Sequence, residues 1–244
     1  MPLQTYGDGA LFGERHGTRS PRVLALHGWG RDRSDFALSL SGLDAISLDL
    51  PGFGASPVPD SAWGAAQYSA ALGPVLSEFA NPPVVVGHSF GGRVATVLAS
   101  DAPEMVGGLV LVGVPLLHRD DRAKTKPSTV YRIVKRLHAC GLISDARLEQ
   151  EKRKRGSADY RAATGVMRDI LVRAIAESYE EELMKVACQV QLVWGARDDE
   201  VPVSVAERAH NLLTDASLDV VADVGHDVPL EAPERIRAAI DGLL

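Results

Sequence analysis

Six short runs of apolar, largely β-branched residues punctuate the chain, at 23–26, 45–48, 84–86, 109–112, 190–193 and 218–221, and each ends near turn-forming residues. Unbroken apolar runs of this length predict strands covered on both faces, as in a parallel sheet. Between them lie stretches with helical spacing, at 61–79, 91–100, 206–213 and 233–244. The last opens with Pro233, where a missing N–H costs little, and carries Ile236, Ala239, Ile240 and Leu243 on one face. Near the N-terminus, Gly7-Asp8-Gly9 separates two extended segments and predicts a hairpin over 3–17. Strands alternating with helices predict an α/β fold with a mostly parallel sheet.

The alternation stops between Val114 and Ala187, 74 residues without a strand run. A compact domain rarely carries a structureless loop of that length. Val130, Ile133, Val134 and Leu137 share one helical face, with Gly141 as a stop. Met167, Ile170, Leu171, Ala174, Ile175 and Tyr179 form a second stripe. The pattern therefore predicts a helical insertion over 115–187, with 1–114 and 188–244 as one core.

At 244 residues, with 45% hydrophobic and 24% charged positions, the chain has the makeup of a soluble globular protein. No apolar stretch is long enough to span a bilayer, and the first residues lack a basic, then apolar, leader pattern. Two cysteines, Cys140 and Cys188, make no disulfide framework, and a cytoplasmic location is expected. The net charge of −6 argues against nucleic-acid binding. Between His118 and Arg161, however, 13 Lys and Arg face 6 Asp and Glu, so the insertion is basic and the remainder strongly acidic.

Gly87-His88-Ser89-Phe90-Gly91 follows one strand run and opens a helical stretch. This is G-x-S-x-G in the strand-turn-helix setting that lifts a serine clear of a sheet. Small neighbours are needed because larger side chains would strike the strand or the helix, and Gly87, Gly91 and Gly92 meet that need. A serine hydroxyl needs a base held in place. His226 lies past the last strand run, and the acids Asp198 and Asp199 lie past the run before it. Sites in parallel sheets form at the carboxyl ends of strands, where all of these fall. Spacing alone leaves the choice between Asp198 and Asp199 open. The seven His and two Cys show no metal-ligand spacing, and no phosphate-cradling glycine loop occurs, so neither metal nor cofactor is expected.

Five segments in order resemble the α/β-hydrolase superfamily: His27-Gly28-Trp29-Gly30, Asp49-Leu50-Pro51-Gly52-Phe53-Gly54-Ala55-Ser56, Gly87–Gly92, Gly195-x-x-Asp198-x-x-x-Pro202, and Gly225-His226 with Glu231-x-Pro233 behind it. The resemblance implies an eight-stranded, mostly parallel sheet with a helical cap inserted after the sixth strand. It implies a Ser89-Asp198-His226 triad, selecting Asp198 over Asp199 and over an acid after the preceding strand, Asp120 or Asp121. It assigns the oxyanion-hole N–H groups to Trp29 and Phe90. His27 is expected to hold its loop, and Trp29, His88 and Leu116 to line a substrate pocket.

Within that superfamily a serine rather than an aspartate at position 89 implies an acyl-enzyme route, which ester, thioester, amide and activated C–C bonds all fit; a carboxylic ester hydrolase is the expected activity. His27–Gly30 and Asp49–Gly54 are similar to the carboxylesterases that demethylate a pimeloyl-carrier methyl ester in biotin synthesis, although those have Trp where His88 stands. A basic cap would complement an acidic acyl carrier protein. His88-Ser89-Phe90 is shared with many esterases and with hydrolases that cleave C–C bonds of ring-fission products, the alternative activity. A non-catalytic ligand receptor of the same fold is the remaining alternative. Oligomeric state leaves no signature in the sequence.

Overall fold

The β-branched runs form the centre of a sheet whose two faces are both covered. A computed structural model describes residues 3–118 and 158–244, together with positions 138, 140, 143 and 144. The strands are β1 (Leu3–Tyr6), β2 (Leu11–His16), β3 (Val23–Leu26), β4 (Ala45–Asp49), β5 (Val84–His88), β6 (Gly108–Val112), β7 (Val190–Gly195) and β8 (Ala216–Val221). Their spatial order is β1-β2-β4-β3-β5-β6-β7-β8. β1 and β2 form the expected hairpin, β2 is antiparallel to β4, and every later pairing is parallel. This is the eight-stranded, mostly parallel sheet of the α/β-hydrolase fold.

Period-two alternation divides the strand side chains between two cores. Leu24, Leu26, Val85, Leu109, Leu111 and Trp194 point to one face. There they meet α1 (Ala65–Ala70), α2 (Gly73–Leu76), α3 (Phe90–Asp101) and α7 (Val203–Leu212), through residues such as Tyr68, Val75, Val94 and Val205. Val23, Ala25, Val86, Val110 and Val193 point to the other face, against Phe36, Val228, Ile236 and Ile240. Those belong to a 3-10 turn (Arg33–Phe36), α8 (Val228–Glu231) and α9 (Pro233–Asp241). β8 departs from the expectation of two covered faces: as the last strand it has one neighbour, and Val220 is 40% exposed. The single helix expected over 61–79 is two short ones. Pro74 cannot donate to the carbonyl four residues back, so the first helix ends at Ala70 and a second begins at Gly73.

Within 115–187 the described elements are α4 (Ala158–Ala162), α5 (Gly165–Ala176) and α6 (Glu180–Lys185). Ile170, Ala174 and Leu183 join the same buried cluster as Leu26 and Leu111, so α5 and α6 pack onto the core. The stripe Val130–Leu137, Gly141, Asp120, Asp121 and most of the basic stretch lie outside the described residues. Among the described residues no helix is long and apolar enough to cross a membrane.

The turn after β5 leaves no room for side chains at its glycines. A Cβ at Gly91 would lie 2.1 Å from the Leu26 carbonyl oxygen, and one at Gly87 would lie 2.4 Å from Gly92 Cα. Both obstacles are backbone and cannot rotate aside. Gly91→Ala is therefore expected to destabilise the protein by about 2–3 kcal/mol, read as a lower urea midpoint with unchanged slope.

Candidate active site

The close approach of β3 and α3 dictates where Ser89 stands. Gly91 N–H donates to the His27 carbonyl (3.1 Å) and Ser89 N–H to the Val112 carbonyl (2.9 Å), tying the turn to both neighbouring strand ends. Between these anchors Ser89 has φ 46° and ψ −108°, a conformation that L-residues rarely adopt. Surrounding structure must hold such strain, and it is commonly found at functional sites. Ser89 sits immediately before the first turn of α3, where unpaired N–H groups favour negative charge.

Asp198 and His226 meet above the end of β6. His226 Nδ1 is 2.8 Å from Asp198 Oδ2, and since a carboxylate accepts, Nδ1 carries the proton. The other carboxylate oxygen accepts from the N–H groups of Glu200 (2.9 Å) and Val201 (2.7 Å). These bonds account for burial of the Asp198 side chain with its charge. Asp199 is exposed. Glu231 accepts from Gly225 N–H (2.9 Å) and so fixes the turn that presents His226. The free face of the imidazole, Nε2, is 3.8 Å from Glu200 Oε2, and Glu200 lines a pocket of about 240 Å³ together with Ser89. The Ser89 hydroxyl and the His226 ring are not hydrogen-bonded to each other in this arrangement. Burial by itself would lower the His226 pKa, but the Asp198 bond and charge, with Glu200 and Asp227 beyond, hold it above the ordinary histidine value.

Trp29 and Phe90 line the same pocket, and neither backbone N–H is bonded among the described residues. Their rings meet edge to face at 5.2 Å, and Phe53 and Tyr68 extend the cluster. His27 lies beneath. Its Nδ1–H donates to the Gly28 carbonyl (2.7 Å) and its Nε2 accepts from Leu50 N–H (2.9 Å), so the ring is a neutral brace between the loops after β3 and β4. Burial lowers its pKa, in keeping with that state. Asp49, fully buried, binds Arg33 and the N–H of Ala55, making the 49–56 segment a support.

Two expected pocket residues lie elsewhere. His88 is 1% exposed and turned away from the cavity. Its Nε2 lies 3.1 Å from the His226 carbonyl and its Nδ1 3.0 Å from Asp35 Oδ2, both of them acceptors. Leu116 is fully buried in the core, and its neighbours Pro115 and Leu117 line the cavity instead. Two connections went unread in the sequence. Asp35 accepts from Gly28 N–H and pairs with Arg31, which also pairs with Asp227. The loop carrying Trp29 and the loop carrying His226 are thereby joined twice, once through His88 and once through Arg31. Arg93 also lines the pocket, four residues after Ser89 on α3; the i, i+4 spacing was the available signal.

Residues 23–239 match the alpha/beta hydrolase family. Over 110 residues, 43% of this chain and 37% of that protein, the chain is 42% identical to the esterase Rv0045c of Mycobacterium tuberculosis. It is 30% identical to the dihydrolipoyllysine-residue acetyltransferase component of the acetoin cleaving system of Cupriavidus necator, over 93% of this chain and 64% of that protein. The chain thus spans less than two thirds of either relative. Among solved structures, an esterase from Exiguobacterium antarcticum superposes with a TM-score of 0.72 at 18% identity, covering 99% of this chain and 98% of that one. A meta-cleavage product hydrolase from Pseudomonas fluorescens superposes at 0.69 and 19% identity, covering 99% and 97%. The sheet order, the serine turn and the family match agree, and the chain belongs to the alpha/beta hydrolase family.

Proposed function

We propose that the chain hydrolyses carboxylic esters through an acyl-enzyme, with Ser89, Asp198 and His226 as its triad. The observation that carries this reading is the His226–Asp198 bond of 2.8 Å beside a pocket on which the strained Ser89 opens. Ser89 Oγ adds to the ester carbonyl carbon while its proton passes to His226 Nε2. Asp198 keeps the imidazole in the tautomer that can accept it and stabilises the resulting cation. The carbonyl oxygen becomes negative and is met by the N–H groups of Trp29 and Phe90, where one such donor typically contributes about 2.7–4 kcal/mol. Collapse expels the alcohol, which takes the proton from His226. Water then attacks the acyl-serine by the same route, and the acid and free Ser89 are released. The Ser89–His226 hydrogen bond forms as substrate enters, since such contacts often tighten only in the Michaelis complex.

Supporting the ester reading are the esterase relative and the pocket walls. Pro115, Leu117, Leu171 and Ile175 give it an apolar side. These belong to 115–187, which acts in this reading as a cap over the site. Carriage of the acyl group on an acidic carrier protein is the finer form of the proposal; it rests on the basic sequence between His118 and Arg161. A cytoplasmic location is part of the same proposal. The resemblance to the meta-cleavage product hydrolase is one of fold, so C–C cleavage is not advanced.

Two outcomes follow. Against a series of p-nitrophenyl esters, a pocket of about 240 Å³ favours acetate to butyrate over octanoate, and Ser89→Ala lowers the rate by about 10⁴-fold or more. Equal rates across chain lengths, or an active Ser89→Ala, would contradict the assignment. In kcat/KM against pH, His226 must be neutral to act as base, so activity rises with pH through its elevated pKa. Glu200→Gln removes one of the charges that raise it and moves the acid limb to lower pH. Glu200 is mostly exposed, so the displacement shrinks as salt is added.

A further inference from the structure

Arg93 is the one cation that lines the pocket from the helix of the serine, and it is buried, at 8% exposure. A buried charge ordinarily has an ionic partner, yet among the described residues no carboxylate pairs with Arg93. One guanidinium nitrogen donates to the Ala174 carbonyl near the end of α5, and the group lies 6.0 Å from the Tyr179 ring centroid. Its Nε is buried without a hydrogen-bond partner. The carboxylate whose charge acts on it, Glu177, is already engaged by Arg173, by the Tyr179 hydroxyl and by Ala65 N–H. Burial pushes the Arg93 pKa down, opposed by Tyr179 and Glu177, as expected of a desolvated cation. Two further acids of the pocket, Asp159 and Glu200, are exposed at its rim, where solvent screens them.

We propose that Arg93 is an anion subsite and that the preferred substrates are esters bearing a second, ionised carboxylate. The inference rests on the ester-hydrolase reading for the reaction, though not for the binding. Arg93 follows Ser89 by four residues, and one helical turn rises about 5.4 Å. An acyl chain with its reacting carbonyl at Ser89 and a carboxylate a few carbons away, as in a glutarate half-ester, fits that spacing. The carboxylate gains charge-assisted hydrogen bonds from the guanidinium, and the buried cation gains the counter-charge it lacks.

The test compares monoethyl glutarate with ethyl pentanoate, matched in acyl chain length, by titrating released acid. The half-ester is expected to have a kcat/KM about 10-fold or more higher, and Arg93→Met is expected to abolish that preference while Arg93→Lys keeps part of it. Unchanged preference in Arg93→Met, or no preference in the wild-type enzyme, overturns the subsite. Because Arg93 also holds α5, a variant that fails to fold is bypassed with the unmodified protein. Calorimetry should then show glutarate binding about 10-fold or more tighter than glutaramide. Glutarate binding without hydrolysis of either ester upholds the subsite and removes the ester-hydrolase reading. Hydrolysis of both esters at equal rates, with no glutarate preference, does the reverse.

Discussion

The site depends on a backbone held where it would not rest alone. Ser89 stands at φ 46° because β5 must turn into α3 within van der Waals reach of β3, and the bonds to His27 and Val112 fix both sides of the turn. The glycines around it are there because backbone atoms occupy the space a Cβ would need. The sheet that imposes this closeness is buried on both faces, so the turn cannot relax without unpacking two cores. Folding energy is thereby coupled to the exposure of one hydroxyl.

Around that turn, carboxylates do the positioning. Asp198 aims the imidazole, Asp49 closes the segment after β4, and Asp35 ties the Trp29 loop to the His226 loop through His88 and Arg31. Each is buried and each meets N–H donors or cations, which is the condition for keeping a charge in a low-dielectric interior. Arg93 differs: it is buried, its Nε has no hydrogen-bond partner, and among the described residues no carboxylate pairs with it.

Much of this was legible in the sequence, for a physical reason. The central strands are apolar because they are covered on both faces, and the serine and the acid each follow such a strand within a few residues, whereas His226 follows the partly exposed edge strand β8. Local spacing brought out Ser89, His226 and the pair Asp198 and Asp199, and only the family resemblance chose between the two acids. β8 was misjudged because covering depends on having neighbours on both sides, which a run of four residues does not encode. The break near Pro74 was encoded, but small residues on either side masked it. His88 was expected in the pocket because it adjoins Ser89. Its true partner, Asp35, lies 53 residues away, and no local pattern joins them. Leu116 and its neighbours alternate between core and cavity, a choice of one residue that apolar composition cannot make.

Reaction with a fluorophosphonate, followed by mass spectrometry of the intact protein and of its peptides, tests the central claim most directly. An activated serine gives a single adduct on the peptide containing Ser89, lost in Ser89→Ala and strongly slowed in His226→Gln. A folded wild-type protein that stays unlabelled, or one labelled equally well without His226, would contradict the account.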